Sequence, residues 1–560
     1  MKSKISFCDL TILKKNLTRF APAWALYGIV WMLMVILMLD GNQNGLYFAQ
    51  DMATALQSTP IINMGYALLC AQLLFGDLYN SRMCNALHAL PLRRETWFCT
   101  HVISGLVFSL LPNFLICLLS ISFMGSAFVI APLWLLVNTL QFMFFFGVAV
   151  FSAYCVGNRF AMAMVYAIIN FISIILFWLI SELYVPQLYG LVVNSEPFSW
   201  FCPVVYMTAE RAVRVFSTTN LASTTYQIQI QFGLWYSLIC GGVGLGFIAM
   251  ALLLYRKRNL ECAGDFVSVK AFAPVFLILY CLCAGTVAYL ISFEFVGNES
   301  MFFLLVGIAV GWFTGRMLLE RTVRVFRVKA FIYCGVFLAV FFGSLLLARL
   351  DPIGITRWIP KTESVAGLHI QTGGSRYDYY RNGDNYLDDP QAIEDVLAIH
   401  RYGIENRDAD TNGKSDVHVS IDYVLRSGIT VSRQYAVDID TPEIDAVKML
   451  MSRSQIVFGI DATDAAGIAD ALLSIETPSG KVLYGEDMIP LIEAILKDCE
   501  AGNMAQNYSL HNYASASWLS LQLKTSGNSR TYRDLTVYAT SVNTIQYLKE
   551  NNYLDQDQMK

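Results

Sequence analysis

The first 350 residues of the chain contain nine long runs of apolar side chains separated by short polar segments. A helix needs roughly 20 apolar residues to cross the hydrocarbon core of a bilayer. The runs lie at 21–39, 61–76, 102–124, 131–156, 161–181, 232–255, 271–293, 301–318 and 330–348. This pattern predicts an α-helical multi-pass membrane protein with about nine transmembrane helices.

Lysine and arginine are concentrated in every second gap between these runs, counting the N-terminal segment as the first gap. Those gaps hold eighteen of them, whereas the other gaps hold two, Arg211 and Arg214. The eighteen are Lys2, Lys4, Lys14, Lys15, Arg19, Arg82, Arg93, Arg94, Arg159, Arg256, Lys257, Arg258, Lys270, Arg316, Arg321, Arg324, Arg327 and Lys329. Cytoplasmic loops carry the excess of positive charge in membrane proteins. We therefore predict a plasma-membrane protein with a cytoplasmic N-terminus, and nine crossings then place residues 351–560 outside the cell.

Charge divides the chain into two unlike parts. Residues 1–350 contain 21 Lys plus Arg and 13 Asp plus Glu, a net charge of +8, whereas residues 351–560 contain 18 and 30, a net charge of −12. An acidic outer domain attracts cationic ligands over long range, but an acidic surface also serves simply to keep a domain soluble. The first apolar run is too long for a cleaved signal peptide, so we expect it to remain as a membrane anchor.

The middles of the nine runs contain no Asp, Glu, Lys, Arg or His. Ion-coupled carriers and proton pumps place ionisable side chains at this depth. The polar side chains present are instead the amides Asn113, Asn138, Gln141 and Asn170, which either hydrogen-bond between helices or line a substrate path. If the chain transports a substrate, this pattern favours energy supplied by a partner over energy from an ion gradient.

Motifs for covalent chemistry are missing from the sequence. It contains no H-E-x-x-H motif, no P-loop lysine and no paired serine and histidine within the membrane runs. Its densest group of glycines, Gly241, Gly242, Gly244 and Gly246, falls in an apolar run and fits close packing of membrane helices. We therefore expect no catalytic site on this chain.

Two of the predicted inner segments are amphipathic. In the N-terminal segment, apolar residues recur at helical spacing beside basic ones, which predicts a helix lying at the inner membrane interface. These residues are Phe7, Leu10, Leu13, Leu17 and Phe20. In the second segment, Met83, Leu87 and Leu90 share one face of a short helix that Pro91 ends. Such a helix suits docking of a cytosolic partner, although an ordinary basic connector has a similar composition.

The order of these segments resembles the permease subunits of ABC-type exporters in Gram-positive bacteria. The resemblance covers the first six helices and rests on the interface helix and on inner loops that read DLYNSRM (77–83), LPLRRE (90–95) and YRKRNLECAGD (255–265). It implies a six-helix transport module whose first inner loop carries a coupling helix for a separately encoded ATPase. It places residues 81–95 on that ATPase, through Arg82, Met83, Leu87, His88, Leu90, Pro91, Arg93 and Arg94.

The resemblance also implies the partners of the chain. ATP would be bound by the cytosolic ABC ATPase, and the chain itself would hold no cofactor. The permease would pair with a second copy or with a sister permease, among membrane lipids and without nucleic acid. The outer gap at 182–230 lies where such exporters have short re-entrant helices.

Beyond the sixth helix the chain departs from the six-helix pattern. It adds three helices and an outer domain with an internal repeat of about 100 residues, each copy reading helix, hairpin, helix after a shorter strand. This repeat predicts two similar α+β modules. The predicted domains are the interface helix (1–20), the six-helix permease module (21–256), an inner loop with three additional helices (257–350), outer module 1 (351–465) and outer module 2 (466–560).

One loop of the outer domain, at 408–416, imitates the first half of a calcium-binding loop. Oxygen-bearing side chains alternate around Gly413, but Val419 occupies the position of the bidentate glutamate. The alternating residues are Asp408, Asp410, Asn412 and Asp416. Weak calcium binding and a solvated turn both fit this pattern.

The function predicted from these features is transport of a substrate, such as a lipid, a peptide or an antimicrobial compound, using ATP hydrolysed by a separate subunit. The alternative is a membrane receptor or resistance component whose outer domain binds a peptide or a wall precursor. The two differ in output, which is transport in the first and signal transmission in the second.

Overall fold

The computed structural model describes residues 8–41, 45–80, 82–84, 93–193, 196–220, 223–257, 272–296, 301–373, 386–406, 416–438, 442–460, 462–504, 515–523 and 531–554. The chain divides into two compact units. The helical unit comprises Met1–Leu179 with Ser195–Gly343. The sheet unit comprises Ile180–Asn194 with Ser344–Lys560.

Helices dominate the first 350 residues. In chain order the elements are α1 (Leu10–Arg19), α2 (Ala21–Gly41), α3 (Gly45–Ala55), α4 (Thr59–Leu74), α5 (Arg94–Met124), α6 (Ile130–Cys155), α7 (Arg159–Leu179), β1 (Leu191–Val192), α8 (Glu196–Trp200), α9 (Pro203–Ala209), β2 (Val213–Asn220), β3 (Ser223–Ile230), α10 (Phe232–Lys257), α11 (Phe272–Val296), α12 (Met301–Glu320) and α13 (Val328–Leu350). The outer gap predicted to hold short helices contains α8 and α9. It also contains the antiparallel hairpin β2–β3, which the apolar pattern does not indicate.

Eight described helices, α2, α5, α6, α7 and α10 to α13, are long and apolar enough to cross a membrane. They confirm the prediction of a multi-pass helical membrane protein. Large apolar side chains such as Leu33, Leu37 and Leu115 are exposed on their outer faces. Contact with lipid tails accounts for this exposure, since lipid is as apolar as leucine.

The second predicted span is shorter than the others. It corresponds to α4, which has 16 residues and rises about 24 Å, so length alone does not confirm the predicted number of nine. The contacts nevertheless require α4 to cross the bundle. The backbone amide of Asp9, the N-cap of α1, donates to the Thr100 hydroxyl near the start of α5 at 3.0 Å. Helix α2 follows α1 directly. Because α2 leads away from that end of the helical unit, α4 must lead back to it.

Helices α6 and α10 pack with their backbones in contact. A Cβ on Gly147 of α6 would lie 2.2 Å from the carbonyl oxygen of Gly244 in α10. Small residues permit this approach in membrane bundles. Of the four glycines predicted for packing, Gly244 and Gly241 contact α6, whereas a Cβ on Gly242 or Gly246 would meet open space.

The added helices α11 and α12 use the same kind of contact. A Cβ on Gly307 would lie 2.5 Å from the Cβ of Ala288, and one on Gly311 would lie 2.7 Å from the Cβ of Ala284. The two glycines are four residues apart and therefore lie on one face of α12. A larger residue at either position would force these helices apart.

The sheet unit contains two antiparallel sheets with helices. Its remaining elements are β4 (Val365–Gly373), β5 (Tyr386–Leu387), α14 (Pro390–Glu405), β6 (Asp416–Leu425), β7 (Thr430–Asp438), α15 (Pro442–Met451), α16 (Ser454–Phe458), α17 (Ala465–Ala471), β8 (Leu472–Glu476), β9 (Val482–Leu483), α18 (Ile489–Glu500), β10 (Ser515–Leu523), β11 (Thr531–Tyr538) and α19 (Val542–Glu550). The strand orders are β1-β7-β6-β4-β5 and β11-β10-β8-β9. Apart from β1, the orders correspond strand for strand, and each sheet has its own apolar core.

Strand β1 comes from the segment that follows α7, yet it forms an edge of the first sheet. It pairs antiparallel with β7, and the Gln434 amide donates to the carbonyl oxygen of Gly190 at 2.9 Å. The ring of Tyr189 packs against that of Tyr435, with centroids 5.8 Å apart. Backbone hydrogen bonds and an aromatic contact therefore attach the segment after α7 to the sheet.

We expect Gly190→Ala to detach this segment. Gly190 has a φ of +75°, and a Cβ there would lie 2.3 Å from the Tyr435 ring. Gly428→Ala is the matched control, because Gly428 has a φ of +82° with nothing within 4 Å, and a left-handed alanine alone costs about 1–2 kcal/mol. Thermal unfolding in detergent should show the lower midpoint for Gly190→Ala. Equal midpoints would contradict the tight contact with Tyr435.

Candidate functional site

One end of the helical unit joins segments that are distant in sequence and were predicted to be cytoplasmic. Helix α1 lies against the start of α5, where Asn16 Nδ2 donates to Ser104 Oγ at 3.0 Å. Asp9 adds the backbone bond to Thr100 and also caps α1, because its carboxylate accepts from two amides of the first turn. The predicted interface helix is therefore fixed to the helix that follows the predicted coupling loop.

The start of α5 and the end of α10, which flank two segments predicted to be cytoplasmic, also meet at this end. Glu95, in the first turn of α5, pairs with Arg256 at the end of α10, with Oε1 and Nε 3.3 Å apart. The Arg94 guanidinium lies over the Tyr255 ring, 5.9 Å from its centroid. Both partners of the ion pair are solvent-exposed, and such pairs contribute about 0–1 kcal/mol. The pair therefore joins the start of α5 to the end of α10 but adds little stability.

The structure describes four of the eight residues predicted to contact an ATPase. Arg82 and Met83 are exposed, Arg93 is the exposed N-cap of α5, and Arg94 is its half-buried first residue. The other four, Leu87, His88, Leu90 and Pro91, lie outside the described residues. Contact of all eight with an ATPase stays a prediction.

A cluster of uncharged polar side chains is buried where α2, α4, α5 and α6 meet. This amide cluster comprises Tyr27, Thr59, Asn63, Asn113, Asn138 and Gln141. The Tyr27 hydroxyl donates to Asn63 Oδ1 at 3.1 Å, and Asn63 Nδ2 donates to Asn138 Oδ1 at 2.6 Å. The Thr59 hydroxyl donates to Gln141 Oε1. Side-chain hydrogen bonds therefore connect α4 to both α2 and α6, and Asn63 Nδ2 also reaches the Asn138 carbonyl oxygen at 3.3 Å.

The amide cluster and its neighbours have spare hydrogen-bonding capacity. Within the described part of the chain, Asn113 Oδ1, Asn138 Nδ2 and the indole N–H groups of Trp31 and Trp134 have no partner. The two indole rings meet edge to face, with centroids 5.0 Å apart. Buried polar groups without partners are unfavourable and are usually satisfied by water or a ligand. Three donors and one acceptor are thus available to a neutral polar group.

The sequence indicated four amide side chains, and only two of them form hydrogen bonds between helices. Asn138 and Gln141 form these interhelical bonds. Asn113 bonds to Ser109 at 3.1 Å and Asn170 to the Tyr166 carbonyl at 2.8 Å, each within its own helix. The apolar pattern missed three members of the cluster, Tyr27, Thr59 and Asn63. Asn63 carried a detectable signal, because it is an amide inside an apolar run.

No metal centre accompanies these sites in the described ranges. Among the described residues, no group of three or more His, Cys, Asp or Glu is arranged to hold a metal ion. The loop at 408–416 considered for calcium lies outside the described residues, except for Asp416. The structure therefore leaves the calcium prediction untested.

The sheet unit buries two basic side chains beside β7. Arg433 is 2% exposed and donates from Nη2 to the Ile355 carbonyl oxygen at 2.8 Å, and burial lowers its pKa. His400 is fully buried, with Nδ1 3.0 Å from the Tyr423 hydroxyl. Burial lowers the pKa of His400 to about 4, and the positive charges of Arg433 and Arg401 act in the same direction. His400 is therefore neutral at physiological pH.

We expect the hydrogen bond between Asn63 and Asn138 to produce energetic coupling between α4 and α6. Asn63→Ala should destabilise the helical unit by about 0.6–1.7 kcal/mol, as interhelical hydrogen bonds do in membranes. In a double-mutant cycle, Asn63→Ala and Asn138→Ala should be non-additive. Thr139→Ala is the control, since Thr139 bonds within its own helix, and it should add to Asn63→Ala. Additivity of the asparagine pair would contradict the coupling.

We also expect the sheet unit to lose stability as the pH falls. Unfolded His400 binds a proton near pH 6.5 and the folded residue only near pH 4. The unfolded state therefore binds more protons, so stability present above pH 6.5 declines by about 2 kcal/mol at pH 5. His400→Gln should flatten the pH dependence of the unfolding midpoint between pH 7 and 5. An unchanged slope in His400→Gln would refute this source of acid sensitivity.

No protein-family model, no curated protein and no solved structure matches this chain. The likeness to ABC exporter permeases accordingly depends on the order and composition of its segments. Function has to be argued from the geometry of the charged end and of the amide cluster.

Proposed function

We propose that the chain is the permease subunit of an ABC-type exporter. It pairs with a second copy or a sister permease and moves a substrate across the plasma membrane. A separate cytosolic subunit binds and hydrolyses ATP. The N-terminus and the charged end of the helical unit face the cytoplasm in this proposal, in keeping with the alternation of basic gaps.

The observation that carries the proposal is the contact between α1, the start of α5 and the end of α10. A partner that pushes on residues 81–95 acts directly on α5, which follows them. The hydrogen bonds at Thr100 and Ser104 pass that displacement to α1, and the ion pair between Glu95 and Arg256 passes it to α10. One docking site thus reaches both ends of the six-helix module along the sequence.

The chemistry of the amide cluster supports an external source of energy. Its side chains are amides and hydroxyls, without a carboxylate, an amine or an imidazole. Ion-coupled transporters and proton relays use ionisable groups at this depth. A cluster of this kind can hold a neutral polar part of a substrate, but it has no charge with which to bind a driving ion. We therefore assign it to the substrate path.

A second function, a membrane receptor or resistance component, is favoured by strand β1. The segment directly after α7 is part of the sheet unit, because it pairs with β7. A ligand that shifts the first sheet therefore moves residues adjoining the end of a membrane helix. In this alternative the sheet unit captures a peptide or wall precursor and the helices transmit the event.

We expect Leu87→Asp with Leu90→Asp to abolish stimulation of the partner ATPase. Aspartate would remove the apolar face of the predicted coupling helix and would make its burial against a partner unfavourable. The measurement is ATP hydrolysis by the ATPase encoded beside this chain, with and without the purified permease in nanodiscs.

Ile228→Asp with Ile230→Asp is the matched control. It places the same charges on exposed apolar positions of β3, which precedes α10 and so lies away from the pair formed at the end of that helix. This control should stimulate hydrolysis as the wild type does. Failure of any such ATPase to co-purify with the chain, or full stimulation by the double leucine variant, would overturn the proposal.

A further inference from the structure

A cleft of about 530 Å³ opens within the sheet unit, between the parts built on its two sheets. One wall comes from the start of α14 and the segment joining α15 to α16. The other wall comes from the end of α18 and from Thr463. Because the two walls belong to different sheets, a ligand in the cleft would contact both repeats at once.

The cleft has an excess of negative charge. Asp389, Asp395 and Glu500 line it together with a single cation, Arg453. Arg453 Nη1 lies 2.8 Å from Asp389 Oδ2, whereas Nη2 lies 3.9 Å from Asp395 Oδ2. Asp389 is thus neutralised by Arg453, which lowers its pKa, and its carboxylate also caps α14. Asp395 also accepts a hydrogen bond from Gln391 Nε2 at 3.1 Å, so the three carboxylates share one cation and the cleft keeps a net negative charge.

A buried hydroxyl provides an independent indication of a ligand. Ser452 lines the cleft and is fully buried, and its hydroxyl has no hydrogen-bond partner among the described residues. A buried polar atom without a partner is unfavourable and is normally satisfied by water or a bound group. Ser452 lies next in sequence to Arg453, and both residues line the cleft.

The remaining lining restricts the chemistry of that ligand. Met449, Leu450 and Leu496 add apolar surface beside the carboxylates. Within the described part of the chain no three carboxylates, histidines or cysteines converge as a metal site requires. Separated carboxylates beside apolar side chains suit a cation at the end of an aliphatic chain better than a metal ion.

We propose that this cleft binds primary ammonium groups carried on short aliphatic chains, as on the lysine side chains of a basic peptide. The ammonium lies between Asp395 and Glu500, its hydrogen-bond donors also reach the Ser452 hydroxyl, and the methylenes contact Met449 and Leu496. The net charge of −12 on residues 351–560 draws such ligands to the sheet unit. The inference concerns the sheet unit alone and holds whether or not the helical unit couples to an ATPase.

The test uses the full chain in non-ionic detergent and measures binding of pentalysine by isothermal titration calorimetry. Asp395→Asn with Glu500→Gln removes two charges from the cleft. Glu394→Gln with Glu493→Gln is the matched control, because it removes two exposed carboxylates from the same helices, α14 and α18, outside the cleft. Both variants have the same net charge, so long-range attraction falls equally in both.

We expect saturable binding of pentalysine that the cleft variant weakens about tenfold more than the control does. Pentalysine acetylated at every amine should not bind, and spermidine should compete if free polyamines are the source of the ammonium. Equal affinities of the two variants, or equal binding of the acetylated peptide, would overturn the proposal. Unchanged thermal unfolding midpoints of both variants would show that any loss of pentalysine binding does not come from unfolding.

Discussion

Helix association in lipid has little hydrophobic driving force, because lipid tails are as apolar as the helices themselves. The helical unit meets this constraint with backbone contact and with hydrogen bonds between uncharged side chains. Gly147 and Gly244 bring α6 and α10 together, and the bond between Asn63 and Asn138 ties α4 to α6. Both devices join the described helices without using charged side chains.

The charged side chains Glu95 and Arg256 lie at the end of the helical unit where the proposed partner docks. The exposed pair of Glu95 and Arg256 adds little free energy, but it specifies that the start of α5 meets the end of α10. The neutral interior and the charged end therefore have separate roles. In the proposed transport function, displacement of the charged end alters helix positions, while the amide cluster gives a substrate uncharged hydrogen-bonding partners.

The sequence predicted those elements whose signal is local and long. Eight membrane helices follow from apolar runs, whereas the short helices in the gap at 182–230 were expected from the resemblance to ABC exporter permeases. Strand β1 could not be predicted, because Leu191 and Val192 are too few to show alternation and pair with β7 far along the chain. The sequence shows the four-residue spacing of Gly307 and Gly311. It does not show that the two glycines pack against Ala288 and Ala284 on a neighbouring helix. The amide cluster was half predicted, because the sequence shows amides but not the tyrosine and threonine that meet them.

Contacts between segments that are distant in sequence restrict the directions in which the helices run. The Asp9 amide bonds to Thr100, so α2 and α4 must form an out-and-back pair even though α4 is short. Glu95 pairs with Arg256, and between them α5, α6, α7 and α10 provide four crossings, which is again even. The first of these contacts requires α4 to run back through the helical unit in the direction opposite to α2.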